Sequence, residues 1–306
     1  MASVASFVQA NTSGRLHGAH EPSVSPLDRG FLYGDAIYEV WRTYGGVVFA
    51  WPEHLARLEA SARSLRLSLP WSHEFLWGEV ARTAAAFRQQ SGFEGELYVR
   101  LQISRGAGPI GLDPALADEP AYVILIQPCP TLAADKLAAG LRVAVAGGIR
   151  RNAREALDPA WKTGNYLNNV LGLAEARAAG ADEVALLNLR GELTEASTSN
   201  LGFIREGTLY TPVLEAGILA GITRALAIGR IAPAAGLRVN ETTLRPEDIA
   251  GMEEAFLMST TRDIVPVAAM DGVRFRVGPT TLTARLKAAF VDYALAEAAR
   301  YPQRRV

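Results

Sequence analysis

The sequence predicts a mixed α/β fold, with α/β and α+β character, divided into two domains. Three observations carry that expectation. Short β-rich stretches alternate with amphipathic helical patterns along the whole chain, with no internal repeat and no low-complexity tract. The 306 residues, 49% of them hydrophobic and 21% charged, can build substantial cores and exclude a mainly disordered chain. Two prolines in Pro128-Cys129-Pro130-Thr131 interrupt strand pairing just after a complete apolar strand. The expected division is a smaller N-terminal α/β domain over 1–127, a linker over 128–135 and a larger C-terminal α/β domain over 136–306.

The elements follow in order. After a turn-rich start through Ser25, Pro26 and Asp28, the stretch from Phe31 to Thr43 reads as strand, and Gly45-Gly46 turns the chain back into Val47, Val48 and Phe49. Pro52 opens a helix. From Glu53 to Leu67, Leu55, Leu58, Ala62 and Leu65 recur at helical spacing, which puts Arg57 near the edge of the buried face. A second helix fits Ser72 to Arg88. Glu96 to Ser104 alternates as a half-buried strand does, and Ala121 to Gln127 is continuously apolar, as a central strand is. Gly106 to Pro114 is the loop between them. Beyond the linker, strands are expected at 141–147, 184–188, 201–205 and 254–258, and helices near 163–179, 222–232 and 280–299.

Composition narrows the function. A formal charge of −1 lacks the basic excess of a nucleic-acid binder. Cys129 is the only cysteine, so an internal disulfide and thiolate metal clusters are excluded. The four histidines, His17, His20, His54 and His73, all fall in the first quarter, which makes zinc and serine-triad chemistry poor fits; no metal site is expected. The opening MASVASFVQA lacks the basic start of a secretory signal, and no apolar run approaches the roughly 20 residues that span a bilayer. A cytoplasmic protein without a membrane or nucleic-acid partner is expected.

Three lysines stand against twenty-eight arginines, so lysine-dependent chemistry has few candidates. Lys287, on a helix whose apolar face is Leu286, Phe290, Val291 and Leu295, and Lys136, before an apolar strand, both read as solvated surface residues. Lys162 follows Trp161 and precedes Thr163-Gly164-Asn165-Tyr166 where an irregular segment turns into a helix. An aromatic neighbour at such a junction can disfavour the ammonium, as a nucleophilic lysine requires; a plain surface lysine fits the same position. In ELTEASTSNLGF (192–203), Glu195 precedes five small or polar residues, which reads either as a site or, more commonly, as a polar loop with a solvated glutamate. Gly221-Ile222-Thr223 opens a helix whose free N–H groups suit a phosphate or an ordinary cap. Ser259-Thr260-Thr261-Arg262 emerges from a strand end, where ligand loops often sit. A lysine amine, an isolated carboxylate and two anion-binding turns are together what pyridoxal 5'-phosphate requires: aldehyde capture, charge balance at the ring nitrogen and phosphate anchoring.

RGFLYGDAIYEVWRTY, HLARLEASA, KTGNYLNNVLGLAEA, ELTEASTSN, LAGITR and STTRD occur in this order from about residue 25 to 268. With them the chain resembles the class IV, fold type IV, pyridoxal-phosphate-dependent aminotransferases: branched-chain aminotransferases, D-amino-acid transaminases, (R)-selective amine transaminases and aminodeoxychorismate lyases. The resemblance implies a two-domain enzyme with its cofactor at the domain interface, a family-like homodimer and ping-pong transfer from an amino donor to a 2-oxo acid acceptor. It implies that Lys162 forms the Schiff base and is the catalytic residue, that Glu195 bonds the pyridine nitrogen, and that Arg57, Ile222, Thr223 and Thr260 hold the phosphate. Tyr166 matches the tyrosine near the phenolic oxygen, and Leu219 the apolar residue packed on the ring.

For substrate, Tyr98-Val99-Arg100 resembles the Tyr-x-Arg pattern that branched-chain members use for the α-carboxylate, and residues 98 and 100 share one strand face. A cross-strand pair with an ion-paired arginine is the structural alternative. Tyr33 and Tyr38 match two pocket-lining positions of that subgroup, and Thr261 and Arg262 complete the substrate set. YGDAIYEV departs from the YGxxxFEGIR wording toward the D-amino-acid transaminases, but the Arg-x-His carboxylate trap of the latter is missing. Arg262 stands where branched-chain members carry a small residue; pointing inward, it could bind a second carboxylate. The resemblance also implies that the loop Gly106 to Pro114 reaches the partner subunit's active site. The leading expectation is a branched-chain or broad L-amino-acid aminotransferase, ahead of a D-amino-acid or (R)-amine transaminase and then the lyase; a non-enzymatic binding protein would need no reactive lysine.

Overall fold

A computed structural model describes residues 7–306, so Met1 to Ser6 of the opening stretch lie outside the described residues. The chain divides into two compact units. The first runs to Pro130 and takes back Trp161–Asn165 and Ala294–Val306; the second holds Thr131–Ala160 and Tyr166–Tyr293. A single cut near 128–135 therefore misses two returns of the chain to the first unit. Each return is held by backbone hydrogen bonds, Tyr38 N–H to the Lys162 carbonyl at 3.0 Å and Val306 N–H to the Gly46 carbonyl at 2.9 Å.

The first unit contains β1 (Gln9–Thr12), β2 (Arg15–Gly18), α1 (Arg29–Tyr33), β3 (Ala36–Tyr44), β4 (Val47–Val48), α2 (Trp51–Ser64), α3 (His73–Ser91), β5 (Leu97–Ser104) and β6 (Ala121–Pro128). Its sheet has the order β2-β1-β6-β5-β3-β4. Strand alternation decides which face is buried: Ile37 and Trp41, Val99 and Leu101, and Ile124 and Ile126 form a core with Leu55 and Leu58 of α2 and Val80 and Phe87 of α3. On the other face Tyr38, Val40 and Arg42 pair in register with Gln102, Arg100 and Tyr98. The strand expected from Phe31 begins only at Ala36. Asp28 caps a short helix by accepting the Gly30 N–H at 2.8 Å, and Gly34, at φ 69°, ends it in the left-handed region.

The second unit contains α4 (Ala134–Ala139), β7 (Leu141–Arg150), α5 (Arg154–Leu157), α6 (Leu167–Ala178), β8 (Glu183–Leu187), β9 (Leu193–Ala196), β10 (Asn200–Arg205), β11 (Thr208–Pro212), α7 (Ile222–Leu226), α8 (Ala232–Ala234), β12 (Arg238–Thr242), β13 (Glu254–Ser259), β14 (Asp263–Met270), β15 (Val273–Arg274) and the start of α9 (Leu282–Arg300), whose residues from Ala294 onward belong to the first unit. A π-type turn over Ala227–Ile231 joins α7 to α8, so the helix expected at 222–232 is continuous but not uniform. The strand path is β12-β11-β10-β13-β14-β7-β8-β9, and a further pairing of β9 with β10 closes β7, β8, β9, β10, β13 and β14 into a ring. That closure pairs Glu195 with Asn200. Leu141, Leu193, Leu201, Phe203, Leu257 and Val265 belong to the core of this unit. Among the described residues, no helix is long and apolar enough to cross a membrane.

Candidate functional site

In the first unit, Lys162 stands on a short extended segment beside β3, where Thr163 bridges to Ile37. Its backbone is fixed from both sides: its N–H donates to Ser61 Oγ at 3.1 Å, and its carbonyl accepts the Tyr38 N–H. Asn165 anchors the following turn by donating to the Gly34 carbonyl at 3.1 Å. The Lys162 amine rests 4.4 Å from the centre of the Tyr38 ring. The other lysines are committed elsewhere. Lys136 pairs with Asp182 at 2.6 Å, and Lys287 donates to the Ile264 carbonyl at 3.1 Å and stands 3.9 Å from Asp263. Neither simply points to solvent. Lys162 makes no ion pair among the described residues.

Arg57, on α2, is an inward-facing arginine rather than a solvated edge residue. Its Nε and Nη2 meet Glu39 Oε1 and Oε2 at 2.7 and 2.8 Å, a two-point grip on a fully buried carboxylate. His54 Nδ1 lies 2.7 Å from Glu39 Oε2 and 3.3 Å from Arg57, a spacing that suits an Nδ1–H donating to the carboxylate. Burial favours the protonated Glu39, but the charges and hydrogen bonds of Arg57 and His54 together outweigh it and hold the carboxyl far below the usual range; burial pushes His54 down, toward the neutral imidazole. Glu39 and His54 were not among the residues singled out. Glu39 alternates with Ile37 and Trp41 on the inward face of a strand, and a carboxylate at such a position demands a partner.

The β5 face presents Tyr98, Arg100 and Gln102 together. Among the described residues Arg100 makes no carboxylate pair of the cross-strand kind; its guanidinium lies 3.9 Å over the Tyr38 ring and donates to Gln102 Oε1 at 2.9 Å. Tyr38 therefore meets two cations, Arg100 and Lys162. Tyr33 lies in α1, where its hydroxyl accepts the Gly111 N–H at 3.1 Å. Arg29 holds the Gly106 to Pro114 loop further by donating to the carbonyls of Gly111 and Leu112 at 2.8 and 3.2 Å.

In the second unit, ELTEASTSN is a buried hairpin, not a solvated loop. Glu195 in β9 is 6% exposed and faces Asn200 in β10 across a turn closed by the Ala196 N–H to the Ser199 carbonyl at 2.7 Å. Four donors fix its carboxylate. Arg151 Nε and Nη2 both reach Oε1 at 2.9 Å, while Leu219 N–H and Asn200 Nδ2 reach Oε2 at 2.9 and 3.3 Å. Asn200 also donates to the Leu219 carbonyl at 3.0 Å. A side chain at Gly221 would put its Cβ 2.0 Å from Asn200 Oδ1, so glycine is required there. Gly221 is the N-cap of α7 and no side chain caps it; the N–H groups of Ile222 and Thr223, the latter buried, form the positive end of that helix. Tyr166 occupies the N-cap position of α6 and is half-buried.

Thr260, Thr261 and Arg262 are the three residues that join β13 to β14, since Ser259 pairs directly with Asp263. Asp263, at φ 58°, takes the left-handed conformation such loops need. Arg262 is directed toward Glu183, 3.7 Å away, and is 36% exposed. The Glu183 side chain is 3% exposed and also accepts the N–H groups of Val184 and Ser197 at 3.0 and 3.3 Å. Each unit by itself holds groups of the kinds that pyridoxal 5'-phosphate needs: the first an amine without a carboxylate partner and a fixed cation, the second a pinned carboxylate and an uncapped helix start. Among the described residues, no cluster suited to a metal occurs.

The family described as amino-transferase class IV matches residues 36–270. A Methanocaldococcus jannaschii protein provisionally named branched-chain-amino-acid aminotransferase is 36% identical over 260 residues, covering 85% of this chain and 87% of its own. The D-alanine aminotransferase of Listeria innocua is 33% identical, covering 91% and 93%. Among solved structures, the T.th. branched-chain amino acid aminotransferase with pyridoxamine 5'-phosphate superposes with a TM-score of 0.85 at 26% identity, over 98% of this chain and 97% of its own. With its motifs in family order, the chain belongs to the class IV aminotransferases.

Proposed function

We propose that the protein is a pyridoxal-phosphate-dependent aminotransferase that moves an amino group from a branched-chain or similar L-amino acid to a 2-oxo acid. The observation that carries this reading is Lys162, the lysine without an ion pair, held by its backbone on both sides. Bound pyridoxal phosphate supplies an aldehyde that takes up amines and a ring that draws electrons from the α-carbon. Lys162 Nζ would hold the cofactor's aldehyde carbon and would serve as the base that moves the donor's α-proton. Glu195 bonds the ring nitrogen and stabilises positive charge there. Arg57, Ile222, Thr223 and Thr260 bind the phosphate, Tyr166 approaches the phenolic oxygen, and Leu219 packs on the ring.

Arg100 and Tyr98 bind the donor carboxylate, and Tyr33 and Tyr38 shape the side-chain pocket with Thr261 and Arg262. The D-alanine aminotransferase relative keeps a D-specific reading in play. A half-reaction panel on the cofactor-loaded protein with L-leucine, D-alanine and (R)-1-phenylethylamine separates the readings. L-leucine is expected to convert the bound cofactor fastest, and faster conversion by D-alanine overturns the L-preference.

The working form is proposed to be a homodimer. Phe31, Ile110 and Leu112 in the first unit are 73%, 77% and 78% exposed, large apolar side chains of the kind that a subunit interface covers. Light scattering after size exclusion is expected to give twice the 32.8 kDa chain mass and to give a monomer for Phe31→Asp/Leu112→Asp. A monomeric wild-type protein at micromolar concentration contradicts this.

A further inference from the structure

Arg151 is absent from the set of cofactor residues implied by the motifs, yet it is the strongest partner of Glu195. It follows β7 directly, is 9% exposed, and has its own backbone fixed by donating to the Leu187 carbonyl at 2.8 Å. Two of its nitrogens converge on one oxygen of Glu195, while Leu219 and Asn200 hold the other. Burying a guanidinium so completely is costly unless its carboxylate partner stays in place. Simple scaffolding does not need this arrangement, since the closure of the ring by β9 and β10 already holds the Glu195 backbone.

We propose that Arg151 is a positioning residue for the transamination: it fixes the orientation of Glu195 and, by placing a second positive charge behind that carboxylate, limits how strongly Glu195 attracts positive charge on the cofactor. The proposal rests on the assignment of Glu195 to the ring nitrogen. Without Arg151 the carboxylate keeps two of its donors and its negative charge is no longer balanced. Protons on the bound cofactor are then held more tightly. With lysine at 151 the charge remains, but the two-nitrogen grip is lost.

The test is a visible-absorbance pH titration of the cofactor-loaded protein, with thermal unfolding followed in parallel. Arg151→Gln is expected to raise the titration midpoint by at least about half a pH unit. Arg151→Lys is expected to keep the wild-type midpoint and to slow the amino-donor half-reaction at unchanged KM. In a Glu195→Gln background, Arg151→Gln should shift the midpoint no further, because the two act as one unit. An unshifted midpoint in folded Arg151→Gln, a wild-type half-reaction in Arg151→Lys, or an undiminished shift in the Glu195→Gln background overturns the proposal. If Arg151→Gln does not fold, Arg151→Lys alone decides, by its half-reaction rate. Failure of the wild-type protein to bind pyridoxal phosphate would instead count against the underlying assignment of the cofactor.

Discussion

Lys162→Ala is expected to lower turnover by at least about 10⁴-fold and to remove the visible absorbance of lysine-linked cofactor, while leaving the fold intact. The magnitude follows from two roles lost together, the amine that binds the aldehyde and the base that moves the α-proton. The fold should survive because the segment is held through its main chain. The Lys162 N–H to Ser61 and its carbonyl to Tyr38 do not depend on the side chain, and the amine makes no ion pair whose partner would be stranded. Steady-state rates, absorption spectra and circular dichroism check the three parts separately. Lys136→Ala removes the ion pair to Asp182 and should leave the spectrum unchanged.

The second large effect is expected at Glu195. Glu195→Gln keeps the shape of the side chain but replaces the charge that stabilises a positive ring nitrogen, and kcat should fall by about 10²–10³-fold. The donor KM should stay within about threefold, since Glu195 is proposed to touch the cofactor and not the substrate. The substitution also leaves Arg151 without its carboxylate at a nearly dry position, which should cost about 3 kcal/mol of folding stability. Activity and stability can be told apart by assaying well below the melting transition. A Glu195→Gln protein with near wild-type kcat would remove this carboxylate from the proposed mechanism.

Some of this was legible in the sequence and some was not, for physical reasons. Helices α2, α3 and α9 and strand β5 announce themselves because each buries one face of a regular period, and β6 because its run is continuously apolar. Lys162 stood out because lysine is so scarce. The short helix α1 was hidden: its stretch Phe31 to Tyr33 has strand-like composition, and only the Asp28 cap and the turn at Gly34 decide the matter. The polar run after Glu192 suggested a solvated loop because composition says nothing about internal pairing. Folded as the β9–β10 hairpin, Glu195 and Asn200 satisfy one another and a polar stretch becomes buried. Arg151 gave no local signal at all, since its partner lies 44 positions away and is brought near only by the closed ring of strands. Arg57 looked like an edge arginine because its partner Glu39 belongs to another element.

The central claim, that Lys162 carries the cofactor, is tested most directly by reductive trapping. Borohydride treatment of the pyridoxal-phosphate-loaded protein fixes any lysine-linked cofactor as a stable amine, and peptide mass spectrometry then identifies the labelled residue among the three lysines. One phosphopyridoxyl group on the peptide that contains Lys162 is the expected result. Labelling at Lys136 or Lys287 in its place, or no stoichiometric label on a protein that transaminates, would contradict the account.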